Sequence, residues 1–360
     1  MQISQVRVSQ FRNIGFCDLA LKGRNHFMLG TNGQGKSNCL EAIAFISALR
    51  SFRTQSSKPL HQKNTDEFRL FYVIEHERLG TTEVELQIQR NKKSLYIDGE
   101  PILRLADFIG TFPVVPMHSG DLMLLKGTPA ERRRFFDMTI ASVDPDYFLA
   151  LRNYHRAIQE RNRLLKLQSD DKAFDAFEGL ISQYAHTLIE KREAGIARIG
   201  GILSKIYRSF SEDGEGPELC YQPDSMERSI EDFRRLYAEN RNKDRLLGAT
   251  QKGPHRDDYA LNLSVGGAKE YGSDGQQRGL CVALRMAQAA WYESCLGLKP
   301  VLLIDDILGE LDPVRKESFW QACPEGTQII ASGTDFSVGE RSRDWQVWQV
   351  QEGGFTTIEE

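Results

Sequence analysis

The sequence has few cysteines and no close pair of them. Its six cysteines are scattered through the chain without a CxxC pair, whereas zinc sites and disulfide frameworks use cysteines at short, fixed spacings. We therefore expect reduced thiols that are mostly packed in the interior. The six positions are Cys17, Cys39, Cys220, Cys281, Cys295 and Cys323.

Long apolar runs are also missing. The amino terminus, MQISQVRVSQF, lacks the apolar region that follows the basic start of a signal peptide. No later stretch approaches the ~18 uninterrupted apolar residues of a membrane helix. We therefore expect a cytoplasmic protein with no membrane partner. Hydrophobic residues form 40% of the 360 residues, enough for a substantial core.

The chain has no excess of positive charge. Its formal net charge is −4, so contact with nucleic acid requires local basic patches. The segment from Lys126 to Lys166 has 9 basic and 5 acidic residues. It is interpreted either as a surface for DNA phosphates or as a solvated, ion-paired helix face. Its candidate DNA-binding residues are Arg132, Arg133, Arg134, Arg152 and Arg156, and Arg163 continues the roughly helical spacing.

The order of strand-like and helix-like patterns predicts an α/β domain, here called the head, that is interrupted in the sequence by a helical insertion. TEVELQIQ and SLYIDG alternate as an antiparallel hairpin does, whereas FMLG and VLLI are short, all-apolar runs typical of strands buried on both faces. Long helical patterns fill the middle of the chain. We predict an α/β head formed by residues 1–116 and 248–360, with a helical lobe, 117–247, inserted in it. A further hairpin is predicted in YALNLSVGGAKEY, with its turn at Gly266-Gly267.

The stretch GTNGQGKS matches the phosphate-loop pattern GxxxxGK[ST]. It follows an apolar strand and precedes KSNCLEAIAFISALR, an apolar helix without a breaker, which is the context that the motif requires. Lys36 would contact the terminal phosphates, and Ser37 would contact Mg²⁺. The alternative is a chance glycine loop before a helix. The residues expected at the nucleotide are Gly30, Asn32, Gly33, Gly35, Lys36, Ser37 and Asn38.

Two aspartates follow the apolar run VLLI in VLLIDDILGELD. Asp305 at the end of a buried strand can hold Mg²⁺ opposite Ser37, and Asp306 is placed to orient or deprotonate the attacking water. The sequence thus predicts Asp306 and Lys36 as catalytic residues and Ser37 and Asp305 as metal ligands. The alternative is that the two acids only cap the next helix.

The stretch GSDGQQR predicts a second anion site. Ser273 and Gly275 precede a helix whose apolar positions recur at helical spacing, and helix starts bind anions through their amides. Since the loop at Gly30 already surrounds a nucleotide on its own side, a second protomer can supply Ser273, Gly275 and Gln276 across a dimer. A simple helix cap at Ser273 is the alternative.

Eight blocks in order make the chain similar to the RecF family of bacterial recombination mediators. They are FRN, GTNGQGKSNCLEAI, SFR, KGTPAERRRFFD, RNRLL, KGPHRDD, GSDGQQR and LLIDDILGELD. The resemblance extends from Met1 to about Asp335. It implies an ABC-type P-loop ATPase head, related to the SMC proteins, with a mixed parallel and antiparallel sheet, helices and a helical insertion lobe.

The resemblance also implies a function and partners. ATP and Mg²⁺ are the implied cofactors, and ATP binding drives homodimerisation on DNA, including duplex and single-strand/duplex junctions. RecR is the implied partner, with a functional link to RecO and to the recombinase RecA. Asp312 falls in a loop that such heads use between protomers. The chain departs from the family at MHSGDL, which leaves the roles of Ser119 and Asp121 open, and at IIASGTDF, where Ser332 and Thr334 replace a switch histidine.

Three functions compete on these observations. They are a DNA-repair ATPase controlled by dimerisation, a transporter engine, and an SMC-like head with a coiled-coil arm. The segment between Ser37 and Ser273 is much longer than in transporter engines. The insertion also lacks the heptads of a long coiled coil. The sequence therefore favours the DNA-repair ATPase, with slow hydrolysis because its site is complete only in a dimer.

Overall fold

The structure of the chain is a computed structural model that describes residues 1–90, 92–208, 216–336 and 344–358. The strands are β1 (Gln2–Phe11), β2 (Ile14–Ala20), β3 (Asn25–Leu29), β4 (Glu67–His76), β5 (Gly80–Gln89), β6 (Lys92–Ile97), β7 (Glu100–Pro101), β8 (Val114–His118), β9 (Glu218–Gln222), β10 (Asp258–Leu263), β11 (Gly266–Gly267), β12 (Val301–Asp305), β13 (Ile329–Gly333), β14 (Trp345–Gln351) and β15 (Gly354–Ile358). The α-helices are α1 (Lys36–Ala48), α2 (Met123–Lys126), α3 (Pro129–Ala141), α4 (Pro145–Lys166), α5 (Asp171–Arg208), α6 (Ile230–Leu247), α7 (Ala268–Tyr271), α8 (Asp274–Leu296) and α9 (Pro313–Ala322).

The chain divides into two compact units. The first unit comprises Met1–Leu122, Ile206–Gly214 and Ser273–Glu360, and the second comprises Met123–Lys205 and Glu215–Gly272. The unit boundaries lie at 122/123 and 272/273, against 116/117 and 247/248 in the prediction, and the second difference is the larger. The reason is that β10 pairs antiparallel with β9, so the segment around β10 stays with the second unit.

The first unit contains two six-stranded sheets. One is antiparallel, in the order β2-β1-β4-β5-β6-β7, and the other has the order β15-β14-β3-β13-β12-β8. In the second sheet all neighbours are parallel except β14 and β15. The hairpin predicted in TEVELQIQ and SLYIDG is confirmed as the pair β5–β6. The short apolar runs are confirmed as β3 and β12.

The helix α1 lies in the core of the first unit. It contacts β1 of the antiparallel sheet and β8, β12 and β13 of the parallel sheet. Most of its residues are buried, as expected for a helix that is apolar on all sides. One apolar cluster joins side chains of both sheets and the helix, including Val8, Ile43 and Leu303. This packing fixes the start of α1 beside the carboxyl ends of β3, β12 and β13.

The second unit consists of helices and a small sheet of β11, β10 and β9. Two buried arginines bind its helices together. Arg161 on α4 is fully buried, and its guanidinium donates to Glu178 at 3.1 Å and to Asp244 at 2.7 Å. Arg192 on α5 donates to Asp137 at 2.8 Å and to Asp257 at 2.6 Å. Buried charges of this kind are tolerated only when they are paired and hydrogen-bonded.

The turn predicted at Gly266-Gly267 is wrong by two residues. Asn262 pairs with Gly267 and Leu263 pairs with Gly266, so the turn residues are Ser264 and Val265. The two glycines are the return strand, after which α7 begins at Ala268. A hairpin is present, but its second strand is much shorter than the alternation suggests.

The remaining expectations concern cysteines and membranes. None of the six cysteines forms a disulfide, and four of them are buried. Among the helices that the structure describes, none combines the length and the apolar character needed to cross a membrane.

Candidate functional site

The phosphate loop, Gly30–Asn38, connects β3 to α1 as the sequence predicts. Gly33 and Gly35 have φ of +83° and +119°, in the region that glycine adopts without a steric penalty. Gly30 is needed for another reason, since a Cβ there would lie 2.5 Å from the carbonyl oxygen of Val350. These glycines allow the loop its curved path, and such a path turns amide groups inward around a phosphate.

Lys36 is the first residue of α1, and its ammonium group lies inside the phosphate loop. Its Nζ donates to the carbonyl oxygens of Gly30 at 2.6 Å and Thr31 at 2.9 Å. Burial lowers the pKa of Lys36, and the negative charges of Asp306 and Asp305 oppose this shift. The two carboxylates therefore favour a cation at the position where the terminal phosphates of a nucleotide would need one.

Ser37 and Asp305 meet between the start of α1 and the end of β12. The Oγ of Ser37 donates to Oδ1 of Asp305 at 2.7 Å, and the Oγ of Ser332 donates to the same oxygen at 3.0 Å. Asp305 and Ser332 are directly opposite in the parallel pair β12–β13. The structure thus brings together the two residues that the sequence predicts as metal ligands.

The oxygen atoms at this point fit Mg²⁺. A hydroxyl and a carboxylate are ligands of the kind Mg²⁺ prefers, and at nucleotide sites one or two side chains hold it together with phosphates and water. Across residues 1–90, 92–208, 216–336 and 344–358, no group of three or more His, Cys, Asp and Glu side chains is placed to hold a metal. Ser37 and Asp305, which meet at 2.7 Å, are the residues that would hold the ion.

Asp306 follows Asp305 and has a left-handed backbone, with φ 57° and ψ 7°. Its side chain is not used as a helix cap, contrary to the alternative interpretation of this acidic pair. Burial raises the pKa of Asp306; the charge of Lys36 counteracts this, and that of Asp305 adds to it. Within the part of the chain that the structure describes, the Asp306 carboxylate accepts no hydrogen bond, and its role toward an attacking water stays a prediction.

Of the residues in a hydrogen-bonded cluster at the phosphate loop, Asn13 and Arg53 received no role from the sequence. Asn13 lies against Gly35, and its Nδ2 donates to Gln34 O at 3.3 Å. Asn38 donates to Asn13 at 2.7 Å and accepts from Arg53 at 2.8 Å. Asn13 belongs to the FRN block and Arg53 to the SFR block, and these two blocks were the only sign in the sequence that the two residues matter. Their spacing alone does not show that both fold against the loop.

The predicted second anion site lies at the start of α8. Ser273 is the N-cap: its Oγ accepts from Gln276 N at 3.2 Å, and Oε1 of Gln276 accepts from Ser273 N at 2.9 Å. In the described part of the chain, no hydrogen bond joins either side chain to the phosphate loop. The helix start is confirmed. Its contact with a nucleotide across a dimer stays a prediction.

The segment MHSGDL is held inside the first unit. Asp121 is buried and accepts from Arg285 at 2.5 and 3.1 Å and from His118 N at 3.0 Å. Burial would raise the pKa of Asp121, but the charges of Arg285 and His118 bring it below its ordinary value. His118 is opposite Asp305 in the pair β8–β12. Asp121 therefore positions this strand end, and Ser119 is exposed beside it.

The candidate DNA-binding arginines fall into two groups. On α3, Arg132 donates to both carboxylate oxygens of Asp258 at 2.8 Å, and Arg133 donates to Asp257 O at 2.6 Å. Burial lowers the pKa of Arg134. The charges of Arg132 and Arg133 are thus engaged within the second unit.

On α4, Arg152, Arg156 and Arg163 lie within roughly 40° of one another around the helix axis. All three are exposed. Arg163 is 3.8 Å from Glu160, whereas Arg152 and Arg156 have no ion pair with any residue that the structure describes. Arg152 and Arg156 therefore give the exposed face of α4 two positive charges that no described carboxylate balances.

Comparisons with known proteins give a consistent picture. No protein-family model matches the chain. It is 33% identical over 372 aligned positions to the DNA replication and repair protein RecF of Symbiobacterium thermophilum, covering 98% of this chain and 97% of that one. It is 34% identical over 352 positions to RecF of Natranaerobius thermophilus, covering 93% and 91%.

Solved structures show the fold. The recombination mediator protein RecF-ATP of the RecFOR pathway matches with a TM-score of 0.91 at 24% identity, over 99% of this chain and 97% of that one. An Smc head bound to the C-terminal winged-helix domain of ScpA matches with a TM-score of 0.57 at 15% identity, over 99% and 98%. The predicted fold class, an ABC-type head with mixed sheets and a helical insertion, is confirmed.

Proposed function

The chain belongs to the RecF family of DNA replication and repair proteins, and we propose that it is an ATP-dependent, DNA-binding recombination mediator. ATP with Mg²⁺ binds the phosphate loop and brings two protomers into a homodimer. The dimer binds DNA at single-strand gaps and duplex junctions and, with RecR and RecO, helps to load RecA. Hydrolysis is slow, is stimulated by DNA and ends the dimeric state. The protein acts in the cytoplasm, on the nucleoid.

The observation that carries the proposal is the meeting of Lys36, Ser37 and Asp305 at one point of the first unit. It supports ATP as ligand, because a phosphate loop, a hydroxyl and a strand-end carboxylate are the parts that P-loop ATPases use. In the described part of the chain, the side chains of Ser273 and Gln276 make no hydrogen bond to this loop. That supports the delivery of Ser273, Gly275 and Gln276 to the nucleotide of a second protomer.

Each residue has a distinct part in the proposed reaction. The amides of the loop and Lys36 bind and orient the β- and γ-phosphates. Ser37 and Asp305 would hold Mg²⁺, which when bound offsets the negative charge of the phosphates. Asp306 orients the attacking water and accepts its proton. Ser332 fixes Asp305 by its 3.0 Å hydrogen bond.

A site shared between protomers can be tested by mixing two inactive variants. Lys36→Ala removes the loop cation, and Ser273→Arg blocks the α8 start. In a mixed dimer one of the two sites has both parts intact. We expect neither variant alone to turn over ATP, and an equal mixture to recover up to about a quarter of wild-type turnover, as random pairing in a two-fold dimer predicts. Phosphate release at fixed total protein measures this.

The mixture of Lys36→Ala with a Lys36→Ala/Ser273→Arg double variant is the matched control. Its dimers contain no intact site, so it should stay inactive. If Ser273→Arg alone pairs and turns over ATP as wild type does, the proposed role of α8 is wrong.

We assign DNA contact to the exposed face of α4. Arg152 and Arg156 are one helical turn apart, are exposed and lack a carboxylate partner within the described chain. Exposed guanidinium groups bind phosphates irrespective of base sequence, which suits a protein that recognises gaps. Arg132, Arg133 and Arg134 supply less free charge, since the first two are bound to protein groups.

Removing both α4 charges should weaken DNA binding and its salt dependence. For Arg152→Ala/Arg156→Ala we expect a loss of affinity for duplexes of any sequence. The slope of log K against log salt should fall in magnitude by about two, because each phosphate contact contributes about 0.9. Fluorescence anisotropy of labelled duplex and gapped DNA at several salt concentrations measures both quantities.

Arg234→Ala/Arg235→Ala on α6 removes the same number of charges and serves as the control. These arginines lie 3.7 Å from Glu231 and 3.8 Å from Asp232. An equal change of slope in the α4 and α6 variants would show a general charge effect and would contradict the assignment to α4.

A further inference from the structure

Two arginines connect the segment after Asp306 with the first turns of α8. Arg278 on α8 reaches Glu310: its Nε lies 3.3 Å from Oε2, and its Nη1 donates to the main-chain oxygen at 3.3 Å. Arg315 on α9 reaches the opposite way, from the Asp312 loop to α8. One arginine thus extends from α8 toward the segment after Asp306, and the other extends from that side toward α8.

Arg315 is hydrogen-bonded to Asp312 in its own segment and lies against α8. Its main-chain N–H donates to Oδ1 of Asp312 at 2.9 Å, and its Nη1 donates to Oδ2 at 2.5 Å. The same Nη1 would lie only 2.6 Å from a Cβ at Gly275, and Nε would lie 3.5 Å from a Cβ at Gly279. The guanidinium therefore fills the space above the glycine face of α8 while it holds the carboxylate of Asp312.

We infer that Arg315 is a positioning residue that clamps the Asp312 loop to the start of α8. The inference rests on the proposed function, in which Gly275 faces the nucleotide of the second protomer. With the clamp closed, the two surfaces move together, so a nucleotide that binds α8 also places the loop. Arginine suits this task because its planar, permanently charged group presents several donors in a fixed geometry, so it can hold a carboxylate while it lies against α8.

The clamp gives Gly275 a second requirement. A glycine at this position also allows close approach to a phosphate, as in any helix-start anion site. The two explanations differ in what a methyl group at residue 275 disturbs. In the clamp, the methyl group displaces Arg315, whose side-chain end can move. If Gly275 instead contacts a phosphate directly, the methyl group obstructs the nucleotide regardless of which residue is at position 315.

A double-mutant cycle separates the two explanations. We expect Gly275→Ala and Arg315→Ala each to weaken ATP-dependent dimerisation about tenfold, since a hydrogen bond to a charged group contributes on that order. The double variant should be no weaker than Arg315→Ala alone, because the group that the methyl displaces is absent. Sedimentation velocity over a range of protein concentrations gives the dissociation constants. If the two losses multiply in the double variant, the clamp is refuted.

Two further measurements show that the effect is not general damage. Gly279→Ala places a methyl group at an ordinary contact distance, 3.5 Å from Arg315, and should stay within about twofold of wild type. Binding of a fluorescent ATP analogue to the isolated protomer should be unchanged in all variants, because the phosphate loop is intact. A fall in that binding together with dimerisation would indicate misfolding and count against a positioning role.

Hydrogen exchange tests the clamp even without a dimer. In the ATP-free protomer, Arg315→Ala should speed amide exchange in both the Asp312 loop and the first turns of α8. If the faster exchange is confined to the start of α9, Arg315 is only a local cap and the inference fails. If wild-type protein does not dimerise with ATP, the proposed function fails, whereas the exchange result still decides the clamp.

Discussion

Lys36→Ala is expected to abolish ATP binding. Its ammonium is the cation inside the phosphate loop, bonded to Gly30 O and Thr31 O, and no other lysine or arginine makes a hydrogen bond to those two carbonyls in the described chain. Without it, the carboxylates of Asp305 and Asp306 face the nucleotide phosphates uncompensated, and like charges repel. Calorimetric titration with ATP and Mg²⁺ should show no measurable binding, against clear binding by the wild type.

Lys63→Ala is the matched control for this prediction. Lys63 is an exposed lysine of the same unit, in the segment before β4, and its removal changes the net charge equally. Its ATP affinity should equal that of the wild type. Should Lys36→Ala bind ATP within a few-fold of wild type while remaining folded by circular dichroism, the loop is not the nucleotide site.

Asp306→Asn is expected to retain ATP-dependent dimers and to lose turnover. Asparagine cannot accept the proton of the attacking water, and the loss of a general base costs about 10²–10⁴-fold in rate. The backbone should stay in place, because asparagine, like aspartate, tolerates the positive φ of 57° at this position. Single-turnover phosphate release measures the chemical step, and sedimentation with ATP measures the dimer.

Asp18→Asn offers the comparison for Asp306→Asn. It makes the same chemical change at an ion pair with Arg7 on the surface, 2.9 Å long, where such pairs contribute little. Its turnover should match the wild type. Normal hydrolysis by Asp306→Asn would show that another group handles the proton, and the assignment of Asp306 would have to be given up.

The central nucleotide site could be predicted because its signals are local. The phosphate loop has its glycines, lysine and serine within one short stretch, and Asp305 follows directly on an apolar strand. The rule that parallel strands end at one edge of a sheet then places Ser37 and Asp305 together, and the structure shows the 2.7 Å hydrogen bond between them.

The features that could not be predicted from the sequence are contacts between segments that are far apart in the chain. Asn13 and Arg53 flank the phosphate loop only because the β1–β2 turn and the segment after α1 fold against it. The clamp by Arg315 has no spacing signal, since nothing in the sequence says that this side chain lies against Gly275 and Gly279 of α8. Such contacts join residues far apart in the chain and follow from packing alone.

The sequence also does not show which individual basic residues are buried and which are exposed. Arg161 and Arg163 are two residues apart in one helix, and both enter the count of basic residues from Lys126 to Lys166. In the structure, Arg161 is fully buried among Glu178, Asp244 and Thr250, whereas the side chain of Arg163 is 72% exposed. A count of charges therefore overstates the surface that DNA can meet, because α4 presents opposite faces to the core and to solvent.

The position of β3 has a consequence for how the protein is made. This strand carries the phosphate loop and lies between β13 and β14, and the loop is braced by the β14–β15 turn, where Gly353 N–H donates to Gln34 O at 2.8 Å. In chain order, the helices α3 to α6 lie between β3 and the two strands that flank it, so β3 can pair with neither strand until the intervening chain has been translated. The nascent polypeptide thus cannot complete its nucleotide site before β13 and β14 have been synthesised.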